Sequence, residues 1–600
     1  MKLKLKQLTS YLLATALSVA GLGVLSCESS TTAADYQGVQ SSEAFDPSKP
    51  VKISRFTPDR GSVGQQIVIT GENFGNDTSR VKVTIGGKDA VVVSVRSSVL
   101  YAYVPGAAYD KVSGQVLTGE VEVSVSDGAG TTKTGTAPGV FTYERKMVVG
   151  RLCGRMFDAY DHAEWNMGSF AGSPDAVSGF KNDGVMQFSP YNHDQLFIVY
   201  DQEPRFGTIA HSIQLLDLKE QTVKDILPLS LFSGQRLRTI EFAVDPFMYD
   251  EDGQFQSRLD DEGANTAYAN QAWLDTASHD QLKWREHLII SADNNSDDYT
   301  ANSVYIVHRD KKTGEFNDKS IVAALANYRQ CNGASLHPNG ELYFTSYTLG
   351  EVLRLDMDKY WPYLLPDSLG GPRGSWNPYA KNNWNDDNAG TNSSRAFEKL
   401  FTVQDSSWEF QVDIHPSGKY AYIVVINRSY ILRTDYNEDT HRFSAPYRIA
   451  GDMSERGFKD GVGTSARLKR PYQGTFVKNE QYEAEGKEDI YDFYFCDSEN
   501  DAIRLLTPEG IVKTYAGGGA DTHNDGNTYG NENGELRDFA RFHRPTGIVN
   551  DVHRDAITGE NTLIFYILDT YNYCIRTITM EENLEAGGGD GSNGTSGTNE

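Results

Sequence analysis

The feature that most constrains this chain is a repeat near its C-terminal end. "YRIAGDMSERGFKDGVGTSARLKRPYQGTFV", beginning at Tyr447, is echoed by "KTYAGGGADTHNDGNTYGNENGELRDFARFHRPTGIV", beginning at Lys513. Ala450-Gly451 aligns with Ala516-Gly517, Asp460-Gly461 with Asp525-Gly526, Ala466-Arg467-Leu468 with Ala540-Arg541-Phe542, and Arg470-Pro471 with Arg544-Pro545. Downstream, "DFYFCDSENDAIRLL" parallels "IFYILDTYNYCIRTI", with Asp497 and Asp569 in register and Arg504 matching Arg576. Repeats of this kind are single supersecondary units that cannot bury an apolar face alone and must stack on one another. At 600 residues the chain is too long for one compact core, so a stacked array and at least one further domain are expected.

These residues resemble NHL repeats, and the resemblance implies a β-propeller. Degenerate units precede the two clear ones. "DGVMQFSPYNHDQLFIVYD" lies around residues 183 to 202, from Asp183 to Asp201; "LRTIEFAVDP" and "HLIISADNN" form another unit split by a long insertion; "ASLHPNGELYFTSYTLGEVLRLD" and "FQVDIHPSGKYAYIVVINRSYILRTD" are two more. Together they make six, with five or seven blades as the alternatives. Each clear unit feeds a strand such as "IVKTYAGG", but no such strand follows "CIRTITMEEN". The missing strand stands at the start, as "KMVVGRLCG" from Lys146 to Gly154. Pairing it with the last unit would close the ring and remove an open sheet edge. The propeller is expected over residues 145–585.

Residues 51–144 read differently. "VKISRFTP", "QIVITGENF", "VKVTIGG", "AVVVSV", "LYAYVP", "EVEVSVSDG" and "GVFTYE" alternate apolar and polar residues, separated by Gly, Pro, Asn and Asp. Seven short strands in under about 100 residues predict a β-sandwich. Ile53, Phe56, Pro58, Gly61, Gly64, Ile67, Ile69, Gly71, Asn73 and Phe74, then Val83, Ile85 and Gly86, Val104-Pro105 and Phe141-Thr142-Tyr143 stand in the pattern of an IPT/TIG domain. That resemblance implies an immunoglobulin-like fold and no activity, a spacer being the ordinary role. Gly61 and Gly71 are expected to permit turns. The fold class is therefore all-β: an immunoglobulin-like sandwich followed by a six-bladed NHL-like propeller.

The N-terminus carries Lys2, Lys4 and Lys6, then an apolar run from Tyr11 to Leu25 that is shorter than the roughly 20 residues a spanning helix needs. It reads as a secretory signal. It ends in Val24-Leu25-Ser26-Cys27, which resembles a bacterial lipobox, although Leu25 stands where a small residue is usual. Cys27 is then the lipidated first residue of the mature protein and residues 1–27 the signal; the alternative is a signal peptide cut elsewhere. Lipid would hold the protein on a membrane without a spanning helix. Residues 28–50 are Ser/Thr/Ala/Gln-rich and read as a flexible tether; residues 586–600 are a low-complexity tail expected to be disordered. Cys153, Cys331, Cys496 and Cys574 are far apart with no CxxC spacing. Buried free thiols are expected, with a bridge such as Cys496–Cys574 as the alternative. A formal charge of −26 argues against nucleic acid, whose phosphates need a basic surface.

No residue pattern here calls for catalysis. The Asp-Gly and Arg-Pro pairs recur with the repeat, so turns and strand-end hydrogen bonds explain them. Asp497 and Asp569 are read as ending inner strands, and Arg504 and Arg576 as pairing between blades. His337-Pro338 and His415-Pro416 stand at equivalent blade positions, which again points to architecture. "ADNNSDDY" is rich in oxygen ligands but departs from the EF-hand pattern. No metal or other cofactor is expected; calcium at Asp293, Asp297 and Asp298 is the alternative to a solvated loop. The stretch from Tyr360 to Leu400 is longer than a blade connection needs and concentrates Trp361, Trp376, Tyr379 and Trp384 among Asn, Asp and Gly. Aromatic faces and hydrogen-bonding side chains suit sugar rings, so these four are the candidate ligand residues; the competing reading is that they pin the segment to the propeller.

The combination resembles surface lipoproteins of Gram-negative glycan-utilisation systems. It implies an outer-membrane, lipid-anchored, surface-exposed protein that binds a glycan or other extracellular polymer as an accessory to nutrient uptake, and is not an enzyme. The second reading is a scaffold docking an outer-membrane transporter. The third is a metal-dependent lyase or hydrolase, since NHL-like propellers include such enzymes.

Overall fold

The computed structural model describes residues 43–61, 66–105, 118–156, 165–201, 213–245, 248–249, 255–256, 278, 282–293, 302–310, 312–328, 330–346, 349–361, 397–403, 409–517, 528–537, 539–554 and 561–581. Cys27, both termini and most of the Tyr360–Leu400 stretch lie outside them. The described residues are nearly all β, with one short α-helix, Glu480–Ala484. The chain divides into two compact units.

The first unit is the sandwich. One sheet joins Lys52–Thr57, Gln66–Glu72, Val99–Tyr103 and Lys88–Arg96; the last of these also pairs with Val81–Ile85, which leads on to Thr118–Ser126 and Thr132–Tyr143. Alternating residues Ile67, Ile69, Val83, Ile85, Val121, Val123 and Val125 turn inward onto Phe74 and Phe141, all without exposed surface except that the rims stay polar. Gly71 serves close approach rather than a turn. A Cβ there would lie 2.0 Å from the Lys52 carbonyl oxygen and 2.5 Å from the Phe74 ring. Asn73 takes the left-handed conformation (φ 66°) and its side chain bonds the backbone of Asp46 and Lys49, tying down the entering chain. The last strand begins at Thr132, earlier than its Gly and Pro residues suggest. Glu120 pairs Val140 while Glu122 pairs Thr136, so Ala137-Pro138-Gly139 bulges out of the ladder instead of ending it.

The second unit is a six-bladed propeller. The innermost strands, in blade order, are Gly184–Ser189, Arg236–Val244, Cys331–Leu336, Phe410–Ile414, Pro471–Lys478 and Pro545–Arg554. Blade 5 is representative: Pro471–Lys478 pairs Tyr491–Asp497, which pairs Ala502–Leu506, which pairs Ile511–Ala516. Second strands are packed on both faces, hence runs such as Leu288-Ile289-Ile290 and Phe565-Tyr566-Ile567-Leu568 instead of alternation. Blade 6 closes the ring. Its outer strand is Met147–Cys153, from the start of the domain, lying beside Cys574–Met580. The split unit is blade 2, where Arg236–Val244 and Glu286–Asp293 are adjacent strands with the insertion between them.

Two details of the repeat differ from expectation. Asp497 and Asp569 end second strands, not inner ones. Arg504 and Arg576 meet them inside the same blade, at 2.7 and 3.0 Å. Each Arg sits on the third strand, two residues past the one paired with its Asp, so both side chains stand on one sheet face. Arg504 also reaches Asp460 (2.9 Å) and the Lys459 carbonyl in the connection from blade 4. Arg576 bonds the Gly150 carbonyl of the closing strand (3.2 Å) and the Glu532 carbonyl. Asp497 further accepts from the Lys469 N–H and the Asn500 amide; Asp569 does the same with His543 and Asn572. Burial pushes both carboxyls up to about 6 against the pull of their arginines, so they remain ions at neutral pH.

Candidate functional site

The inner strands of blades 1 to 5 surround a cavity of about 250 Å³ in the propeller lumen. Its wall alternates amides and hydroxyls (Gln187, Gln411, Thr475) with apolar side chains (Ile240, Val412, Phe476). Two carboxyl groups line it: Glu241 from blade 2 and Asp413 from blade 4. Both interrupt apolar neighbours, Ile240-Glu241-Phe242 and Val412-Asp413-Ile414. Glu241 Oε1 accepts from the Gln187 side-chain amide (2.8 Å) and from the Phe242 N–H (3.0 Å). Asp413 Oδ2 is enclosed and has no hydrogen-bond donor. Burial pushes Glu241 up to about 7; burial, and then the charge of Glu241, push Asp413 up to about 8. Both residues are half-buried and keep some contact with the lumen, where a carboxylate meets fewer waters than in bulk.

The other end of the inner strands is a compensated network. Arg238 pairs with Asp201 (2.8 Å) and Glu409 (3.0 Å), Arg236 with Asp201 and, at 3.6 Å, with Asp293, and Arg470 with Asp183 (2.8 Å). Asp293, one of the three residues considered for calcium, thus faces a guanidinium; Asp297 and Asp298 lie outside the described residues. Among the described residues no group of three or more His, Cys, Asp or Glu is placed to hold a metal ion.

Topology sets the place of the two long insertions. In an antiparallel blade the connection after the first strand and that after the third leave from the same rim. The segment after Arg236–Val244 and the segment after Glu351–Leu355 therefore leave from one rim, on adjacent blades. Pro416, which is exposed and lines the cavity, follows the inner strand of blade 4 on that rim. Trp361 is the described member of the four candidate ligand residues. It is buried, packed against Tyr360 and His287 with ring centroids 5.6 Å away in each case. Trp376, Tyr379 and Trp384 lie outside the described residues.

Beneath Trp361 runs a hydrogen-bonded chain: Asp245 Oδ2 to His287 Nε2 (2.5 Å), His287 Nδ1 to His308 Nδ1 (2.9 Å), and His308 Nε2 to the Tyr360 hydroxyl (3.1 Å). Two facing ring nitrogens bond only if one carries a proton and the other does not. With His287 Nε2–H donating to Asp245, the consistent pattern is Tyr360 donating to His308, and His308 to His287. This chain anchors the roots of both insertions. His337 and His415, the two at equivalent blade positions, each reach the following blade. His337 Nε2 bonds the Gly418 carbonyl of the next blade (2.9 Å), and His415 reaches Asp489 of the blade after that (3.4 Å). All four cysteines of the described residues are buried free thiols.

Sequence reasoning passed over Glu241 and Asp413. The available signal was a carboxylate inside an otherwise apolar inner strand, most visible in "FQVDI", just before the repeated His415.

Fold and lumen together define the class: an IPT/TIG sandwich joined to a six-bladed propeller with an acidic lumen. The IPT/TIG domain family matches residues 50–143. Three solved structures match along nearly their whole length. A Bacteroides thetaiotaomicron VPI-5482 protein provisionally described as a phosphatase is 40% identical, with 90% of this chain and 99% of that chain covered and a TM-score of 0.69. An auxiliary nutrient binding protein of the same organism is 33% identical over 90% and 100% of the two chains, TM-score 0.62. An auxiliary nutrient binding protein of Bacteroides ovatus ATCC 8483 is 27% identical over 90% and 100%, TM-score 0.52. The chain belongs to the family of these Bacteroides sandwich–propeller proteins. Comparison with curated proteins finds no match.

Proposed function

We propose that this protein is a surface lipoprotein that captures a nutrient, a glycan, on the insertion-bearing rim of its propeller and serves an uptake system in the outer membrane. The observation that carries the reading is kinship: an auxiliary nutrient binding protein is 33% identical and fully covered. The rim supports it, because two long segments leave from adjacent blades there, one of them containing Trp376, Tyr379 and Trp384. Long loops on a rigid scaffold are where binding residues concentrate. Cys27 supplies the lipid anchor in this reading. The phosphatase description of one relative finds no support in the lumen, whose lining offers a phosphoryl group no Lys, Arg or His.

The test is retention of the full chain on a panel of immobilised polysaccharides. At least one glycan should retain it, and Trp376→Ala with Trp384→Ala should abolish that retention while leaving the melting transition in place. Retention unchanged in the double variant would overturn the loop assignment. Cys27→Ser should move the protein out of the membrane fraction; a variant that stays there defeats the anchor.

A further inference from the structure

The lumen contains two carboxyl groups and no counter-charge. Glu241 and Asp413 are the ionisable side chains among the residues that line the cavity. Glu241 is held by neutral donors, and Asp413 Oδ2 by none. A carboxylate withdrawn from water is costly unless it is paired and hydrogen-bonded. Asp497, Asp569, Asp201 and Glu409 each have an arginine, and Asp245 has His287. For these two no side-chain cation supplies compensation, and what reaches them comes through the lumen: water, a proton or a positively charged occupant.

We infer that the lumen is a binding site for a small aliphatic amine, whose ammonium group pairs with Asp413 and Glu241 and whose methylene chain lies against the apolar wall. Size and lining favour an organic cation over a bare metal ion. Calcium and magnesium take six to eight oxygen ligands within about 2.0–2.6 Å, whereas no described group of three or more His, Cys, Asp or Glu is gathered for one. A cavity of about 250 Å³ is the space of roughly eight waters. It fits a chain of several heavy atoms. An ammonium brings three N–H donors, matched by the two carboxyls and the Gln411 side-chain oxygen. Ile240, Leu336, Val412 and Phe476 provide the apolar surface.

Proton exchange accompanies this binding. Burial favours the protonated form of both carboxyls, of Asp413 more than of Glu241. An ammonium that enters releases those protons, and its affinity rises as pH rises through the range in which the carboxyls ionise. The groups acting on Asp413 are few. Glu241 faces it across the lumen; Tyr422, opposite it on the neighbouring strand, is pushed far above neutral by burial; the lining residues from blades 3 and 5 are uncharged.

Calorimetric titration of the full chain with 1,4-diaminobutane tests the site, in two buffers of different ionisation heat. One-to-one binding is expected, with proton release near neutral pH and an affinity about tenfold higher at pH ~8.5 than at pH ~6.5. Asp413→Asn, nearly isosteric, should weaken binding by about tenfold or more, and Glu241→Gln should weaken it also, both at unchanged glycan retention. No heat at millimolar diamine, or equal affinity in both variants, overturns the inference. So does saturable binding of calcium chloride that the same variants abolish while diamine is not bound. Glycan retention reports on the rim alone, so failure of one reading leaves the other standing.

Discussion

Blades 5 and 6 and the lumen-facing strands of blades 2 and 4 bury the same chemical group in opposite ways. In blades 5 and 6 a carboxylate at the end of the second strand is met by an arginine of its own blade, a backbone N–H and an asparagine amide. The pattern is repeated because every blade that uses it solves the same problem of fixing its connection to a neighbour. In blades 2 and 4 Glu241 and Asp413 stand on inner strands with no arginine near them. By strand register Asp413, opposite Tyr422, corresponds to Thr475, opposite Tyr494. A charge that recurs with the repeat belongs to the architecture. A charge carried by the inner strands of blades 2 and 4 and replaced by neutral Thr475 in blade 5 is there for something else.

The largest effect is expected from breaking the repeated pair. Arg576→Ala leaves Asp569 buried without its cation and removes the bond to Gly150 on the closing strand. A loss of about 3–5 kcal/mol is expected from denaturant unfolding, as for other buried pairs deprived of one partner. Arg504→Ala should cost less, because its Nε has no partner and it holds no closing strand. If the two variants are equally destabilised, the arginine of blade 6 has no special part in closure.

The opposite sign is expected in the lumen. Asp413 has a folded-state pKa raised to about 8, above its unfolded value of about 3.9. The native state therefore binds more protons than the unfolded state between those values, and stability falls as pH rises through that window. Glu241, raised to about 7, acts in the same direction over its own window. Asp413→Asn removes the larger part of this slope and should stabilise the empty protein by about 1–3 kcal/mol at pH ~9, with little change at pH ~4. Urea midpoints at the two pH values measure it. A variant less stable than the parent at pH ~9 would mean that Asp413 is compensated after all.

How much of this was legible follows from the same contrast. The Ala-Gly, Arg-Pro and Asp…Arg positions repeat in the last two units; their resemblance to NHL repeats implied the ring, degenerate units before them brought the blades to six, and the strand lacking after the last unit pointed to closure by Met147–Cys153. The sandwich was legible because its inward residues alternate; what misled was Pro138-Gly139, punctuation in sequence but a bulge in the ladder. The assignment of Arg504 to a contact between blades was incomplete: it reaches Asp460 and Lys459 in the connection from blade 4 but also pairs with Asp497 of its own blade, because a repeat gives register along the chain but not which strand is second and which is inner. Glu241 and Asp413 were illegible for a deeper reason: they converge only when the ring forms, from strands separated by an entire blade, and nothing local marks two isolated acids as neighbours. Trp361 shows the converse. Composition set it among the candidate ligand residues with pinning the segment to the propeller as the competing reading, and its packing against His287 and Tyr360 is what the competing reading expects.

The smallest expected effect tests the register equivalence itself. Thr475 Oγ1 accepts from the Asn550 side-chain amide (2.6 Å), which also donates to the Phe476 carbonyl (3.1 Å). Thr475→Val keeps the shape and removes one of two acceptors, so Asn550 is not left unpaired. A loss of about 0.5–1 kcal/mol is expected, the net worth of one neutral hydrogen bond, and it should not vary with pH. Diaminobutane binding should persist, because Thr475 contributes no charge to the lumen. If Thr475→Val instead abolishes amine binding while Asp413→Asn does not, then the site is read from the wrong blade, and position in the register rather than charge is what selects the occupant.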